Sequence, residues 1–119
     1  MTPDTCTATL KALKKAGSVY GVMFQREHDI IFSDLSFDSG KVKKLSGVVD
    51  DIFYYYVQEK WVPDQLAFRY DGGNLVILFK EAHRMVVLHH DAKEVDSITS
   101  AAAAFFRDYL TGEAIKTLS

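Results

Sequence analysis

Residues 41–63 read KVKKLSGVVDDIFYYYVQEKWVP, and the way this stretch folds decides the rest. Apolar side chains recur at Val42, Leu45, Val49, Ile52 and Tyr56, close to helical spacing. A second set runs Val48, Phe53, Val57 and Trp61, and Tyr54 and Tyr55 add bulk on a further side. A surface helix needs only one apolar stripe. From 48 to 57 this one is apolar around much of its circumference, the pattern of a helix covered on two sides. A sheet supplies one cover. In a chain of 119 residues the other has to come from a second molecule. Residues 37–40 form a turn-prone lead-in, with Asp38 or Ser39 placed to cap the first turn. Trp61-Val62-Pro63 ends the helix, because a residue before proline avoids the α region.

Upstream, residues 5–16 read as a short helix. Leu10, Leu13 and Ala16 lie on one side, Lys11, Lys14 and Lys15 face solvent, Asp4 or Thr5 fits as cap and Gly17 as stop. Residues 18–24 are a strand with Tyr20, Val22 and Phe24 on one face and Val19 and Met23 on the other. A polar turn at 25–29 leads to a returning strand at 30–35, giving a hairpin whose turn type is unreadable without a glycine.

Downstream, residues 65–70 alternate, with Leu66, Phe68 and Tyr70 on one face and Ala67 and Arg69 on the other. Asp71-Gly72-Gly73-Asn74 is rich in residues that accept positive φ, the strongest turn signal in the chain. Residues 75–79 form an almost continuous apolar strand, expected at the centre of the sheet. The chain turns at 80–83 and runs a third strand over 84–90. Asp91 and Glu94 have capping-box spacing ahead of a helix over 92–110, which Thr111 and Gly112 end. The order is helix, two strands, long helix, three strands, helix. It predicts an α+β sandwich: a five-stranded, mainly antiparallel sheet with helices against it.

Composition narrows the function. The chain is 48% hydrophobic with a formal charge of −2, which excludes disorder and gives no reason to expect nucleic-acid binding or a polybasic membrane anchor. No run approaches the ~20 apolar residues of a membrane span. Residues 1–16 carry Asp4, Lys11, Lys14 and Lys15 without a continuous apolar stretch, so they do not read as a signal peptide. The single cysteine, Cys6, excludes an internal disulfide framework and fits a reducing, cytoplasmic setting. There is no internal repeat or linker, and one domain spans 1–119 with its core at about 5–110.

Candidate chemistry is thin. His28 and His83 fall in turns, and the adjacent His89 and His90 point to opposite faces, so the four do not form a ready metal site. Cys6 stands in a terminal helix without a local nucleophile motif. The Asp71 to Asn74 glycines precede a strand, not the helix a phosphate loop needs. The acidic pairs Asp50-Asp51 and Asp34/Asp38 lack metal spacing and read as solvated charge. Lys11, Lys14 and Lys15 with Lys41, Lys43 and Lys44 would form one basic patch only if their helices lay side by side. No catalytic residue, metal or cofactor is assigned.

The order of elements and the aromatic helix resemble the roadblock/LC7 family of dynein light chains and regulators of Ras-like GTPases. The resemblance runs over about 5–110. It rests on the opening helix ending before Gly17-Ser18-Val19-Tyr20-Gly21-Val22, the hairpin to Ile30-Ile31-Phe32, the helix at 41–60, the strands at 65–71, 74–80 and 84–90, and the final helix. The turn Arg26-Glu27-His28-Asp29 departs from the Asp-Gly-like turn often found there, and the aromatic run at 53–56 is heavier. The resemblance implies a homodimer or heterodimer in which the second helices pack together and the strands at 65–71 join into one sheet. The expected interface residues are Leu45, Val49, Ile52, Phe53, Tyr56, Phe68 and Tyr70.

The reading is a non-enzymatic homodimeric adaptor or regulator whose partner, by resemblance, is a small Ras-like GTPase. Three alternatives remain. One is a scaffold subunit of a motor or trafficking complex. Another is a small-ligand sensor of profilin-like or longin-like type with an aromatic pocket near Tyr54 and Trp61. The last is an enzyme in which Cys6, an acid and a histidine converge.

Overall fold

The computed structural model describes residues 3–70 and 72–118, with side chains described from residue 8 onward. The first helix, Pro3–Lys14, already includes Asp4 and Thr5, which therefore do not cap its start. The Cys6 thiol lies outside the described side chains, and Asp71 lies outside the described residues. The elements are α1 (Pro3–Lys14), β1 (Val19–Arg26), β2 (Asp29–Ser33), α2 (Ser39–Gln58), β3 (Gln65–Tyr70), β4 (Gly73–Lys80), β5 (His83–His89), a 3-10 turn (Ala92–Glu94) and α3 (Val95–Lys116). The sheet order is β2-β1-β5-β4-β3, antiparallel at every pair. The fold is α+β as the sequence order predicts, with α2 carrying the chain from one edge of the sheet to the other. Among the described residues no helix is long and apolar enough to cross a membrane.

The middle position differs from expectation. Every residue of β5 is buried, and β5, not β4, is the central strand. The apolar run at 75–79 sits one place out, between β5 and the edge strand β3.

The sheet divides two cores. On one face α1 and α3 cover Val22, Phe24, Val76, Leu78, Met85 and Val87, with Leu13, Ile98, Phe105 and Phe106 packed down on them. On the other, α2 covers Met23, Ile77, Phe79, Val86 and Leu88 through Val42 and Val49. Alternation along the strands sorts these residues, with one correction in β1. The register slips between Val19 and Gly21 opposite β5. Val19 thereby joins Val22 and Phe24 on the α1/α3 face, and Tyr20, expected there, becomes the extra residue and stacks on His90. Gly21 turns toward α2, where a Cβ would come within 2.8 Å of Leu35.

The ends of the last helix also differ. The Asp91 carboxylate accepts from the Lys93 amide at 2.9 Å, but Glu94 does not return to Asp91. It accepts from the backbone N–H and the hydroxyl of Ser18, both at 2.7 Å. Gly17, at φ 78°, swings the chain beneath that carboxylate, where a Cβ would collide with it. At the far end Thr111 and Gly112 are helical and Gly112 is buried. A mid-helix glycine costs about 1 kcal/mol, which is too little to stop a helix whose packing continues on both sides of it.

The two edges of the sheet are unlike. β2 has five residues and a register slip opposite Phe24 and Gln25. β3 runs six residues in unbroken register against β4.

A candidate interface along the second helix and the edge strand

The helix α2 starts where the Asp38 carboxylate accepts from the Lys41 amide at 2.9 Å. It ends two residues before the expected Lys60, which takes a positive φ of 64° and turns the chain toward the buried Pro63. At ~100° per residue, Val42, Val49 and Phe53 share the face that looks down on the sheet. Val49 is fully buried, and Phe53 packs on Phe79 at 5.3 Å. The flank bearing Lys43 and Gly47 looks over the first hairpin, where the Ser46 hydroxyl donates to the His28 carbonyl at 2.9 Å. The opposite flank turns toward β3. It carries Lys41, Leu45, Val48, Ile52, Tyr55 and Glu59, spaced alternately four and three apart as in a helix–helix seam.

The expected interface residues thus separate. Leu45 and Ile52 are half-buried on the seam, and Tyr56 is half-buried beside it with its ring edge-on to Trp61 at 4.8 Å. Val49 and Phe53 lie beneath the helix. Val48, 46% exposed, and Tyr55, 58% exposed, join the seam. Spacing from Leu45 is the signal for both. A cleft of about 340 Å³ lined by Phe37, Lys41, Lys44, Leu45 and Val48 opens on this flank, toward the start of the helix and away from Tyr54 and Trp61.

Beneath α2 lies a feature the sequence reading missed. Arg84 is 1% exposed, and its guanidinium meets the Asp50 carboxylate at 3.1 Å, donates to the Ala82 carbonyl and lies over the Phe53 ring at 4.3 Å. Asp50 is therefore a partner in a buried ion pair, not the solvated charge expected. An arginine inside an otherwise apolar strand was the available signal.

On β3, Leu66 packs into the α2 core and alternation puts Phe68 and Tyr70 on the same face, 42% and 40% exposed. The Tyr70 hydroxyl hydrogen-bonds with that of Tyr20. Burial first, then that bond and the proximity of Tyr20, push the Tyr70 pKa up to about 12. Tyr70 stays a neutral donor and acceptor at the edge of the sheet.

The remaining candidate groups do not converge. His28 is exposed, His90 stacks on Tyr20 at 4.3 Å, and His89 is buried with Nδ1 3.1 Å from the Asp91 carbonyl. His83, expected in a turn, begins β5 and is buried against Phe24. Among the described residues no three His, Cys, Asp or Glu side chains are placed to hold a metal ion. The lysines of α1 and α2 stand on opposite faces of the sheet, so the basic patch does not form, and Lys14 pairs with Asp34 instead.

No protein-family model matches the chain, and no curated protein matches it in sequence. Solved structures do match in fold. A roadblock/LC7 domain from Streptomyces avermitilis superposes with a TM-score of 0.64 at 11% identity, over 85% of this chain and 93% of that one. A second crystal structure of a roadblock/LC7 domain from Streptomyces avermitilis gives 0.61 at 12% identity, over 91% and 99%. The element order and sheet topology are roadblock/LC7-like.

Proposed function

We propose that the chain is a non-enzymatic, homodimeric interaction module, one roadblock/LC7-like domain that acts as an adaptor or regulator of a small Ras-like GTPase in the cytoplasm. The observation that carries the reading is the juxtaposition of an exposed apolar helix flank with an unprotected strand edge. Leu45, Val48, Ile52 and Tyr55 supply the seam, Tyr56, Phe68 and Tyr70 its continuation onto the sheet, and Val49 and Phe53 the rigid support below. Clustered exposed apolar surface of this kind marks an interaction site. Tyrosine suits it, being apolar in body and polar at its tip.

The charges at the ends of the seam favour an antiparallel pairing. Lys41 stands at one end and Glu59 at the other, so two copies laid antiparallel set each lysine end against a glutamate end. The β3 edges of the same two copies then meet, and the backbone groups of β3 that face outward find partners in one continuous sheet.

Light scattering tests the pairing: the expected mass is twice the 13.4 kDa of one chain, returning to one chain mass in Tyr56→Asp with the fold intact. A wild type of single-chain mass overturns it. For the partner, a pull-down against small GTPases loaded with GDP or with a GTP analogue is expected to retain one nucleotide state preferentially. Retention of a GTPase independent of nucleotide points to a scaffold.

A further inference from the structure

We propose that His83 is an acid-sensitive latch for the last turns of α3, and that protonation of its ring loosens residues 109–116 from the sheet. His83 is 8% exposed. Its ring lies flat on Phe24, centroids 5.5 Å apart at 10°, and the edge of Tyr109 from α3 closes on it at 5.3 Å. Nδ1 is buried and has no hydrogen-bond partner among the described residues. A neutral imidazole tolerates this packing. An imidazolium carries N–H on both nitrogens, so Nδ1–H would be a charged donor without an acceptor, buried between two aromatic rings.

Charged groups act through space on the ring from the elements around it, Arg84 from the opposite face of the sheet. Arg26 comes from β1, Arg84 from β5, Glu81 from the turn before β5, and Glu113 from α3. Burial first and then Arg26 lower the His83 pKa, with a smaller push from Arg84, and the pull of Glu81 and Glu113 does not overcome them. Glu113 is already paired with Lys116 at 3.2 Å.

The geometry makes α3 the element that gives way. Phe24 and the backbone of His83 are fixed in the sheet by pairing on both sides. Tyr109 and Glu113 sit on the final turns of a helix that is exposed beyond 113. A cleft of about 540 Å³, lined by Arg26, His83, Tyr109, Leu110, Glu113 and their neighbours, already lies between the helix and the turn at 80–83. Water enters there once the helix end lifts.

The proton linkage has a definite sign. With the closed-state pKa below that of the open state, the open form binds more protons. Closure is therefore complete above the ordinary histidine value of about 6.5 and weakens as pH falls below it toward the depressed value. Hydrogen exchange with mass-spectrometric readout, at about pH 7.5 and about pH 5, reads this after correction for intrinsic rates. Protection at 109–116 is expected to fall by about fivefold or more, within the limit of about tenfold per pH unit for one proton. Protection in α2 should hold, and in His83→Phe the pH response at 109–116 should vanish. The same response in His83→Phe as in the wild type, or unchanged wild-type protection, overturns the latch. If His83→Phe does not fold, NMR titration of the wild-type ring decides. A ring pKa below the ordinary value, moving together with the amides of 109–116, supports the proposal, and a ring titrating at or above that value overturns it.

Discussion

The two faces of the sheet use the same apolar residue types but are closed in different ways. The α1/α3 face is finished within the chain. Phe24 takes Phe105 and Tyr109 edge-on at 5.0 and 4.8 Å, and Phe32 adds to the cluster. The α2 face has a single helix over it. That helix is fixed from below by an ion pair and carries Val48, Tyr54, Tyr55 and Val57 into solvent. One face therefore stores stability and the other stores surface. A single-layer cover leaves apolar flanks that a two-helix cover would have buried.

The comparison can be broken first on the finished face. Phe105→Ala empties the centre of an aromatic cluster and is expected to cost about 4 kcal/mol in denaturant unfolding. A loss of less than about 1 kcal/mol would show that this face is not closed as described. On the other face, Arg84→Ala strands Asp50 and is expected to cost about 3 kcal/mol. That is the low end for a buried pair, because the Asp50 side chain keeps 13% exposure. Arg84→Met combined with Asp50→Asn should recover most of the loss, and failure to recover would assign the cost to Arg84 packing on Phe53. The smallest effect sharpens the comparison at the seam. Lys41→Glu is expected to weaken self-association by about 0.5 kcal/mol per contact at low salt, and Glu59→Lys in the same chain to restore it. Concentration-dependent light scattering reads both, and a double variant weaker than either single one would reverse the antiparallel assignment.

Much of this layout is legible in the chain. Period-two alternation placed β3 at 65–70 without error, and the spacing of Val42, Val49 and their neighbours placed α2 to within two residues. The glycine pair after β3 could be read because glycine alone accepts the φ of 150° found at Gly73, which begins β4. The turns at 25–29 and 80–83 could be placed by their polarity, but not their conformation, since Glu27 and Glu81 hold a positive φ without a glycine to announce it. Strand centrality is hidden in the sequence because the apolar run of β4 is purer than that of β5, which buries Arg84 and two histidines. Arg84 and His83 survive there because a long-range partner or aromatic rings hold them, of which local sequence says nothing, while His89 meets the Asp91 carbonyl two residues on. The candidate interface was half legible. The aromatic residues announced a surface, but which of them face down and which face out depends on the direction in which α2 crosses the sheet.

The unequal edges of the sheet set how far an assembly of this chain can grow. A sheet with two regular edges has a valence of two and polymerises without limit, strand upon strand. Here β2 is short and kinked by its slip in register, which spoils it as a template. Only β3 offers an unbroken row of hydrogen-bonding groups. In the dimer proposed above, pairing through β3 about a twofold axis would consume that row on both copies at once and leave a β2 at each outer end, so that such an assembly would terminate at two chains.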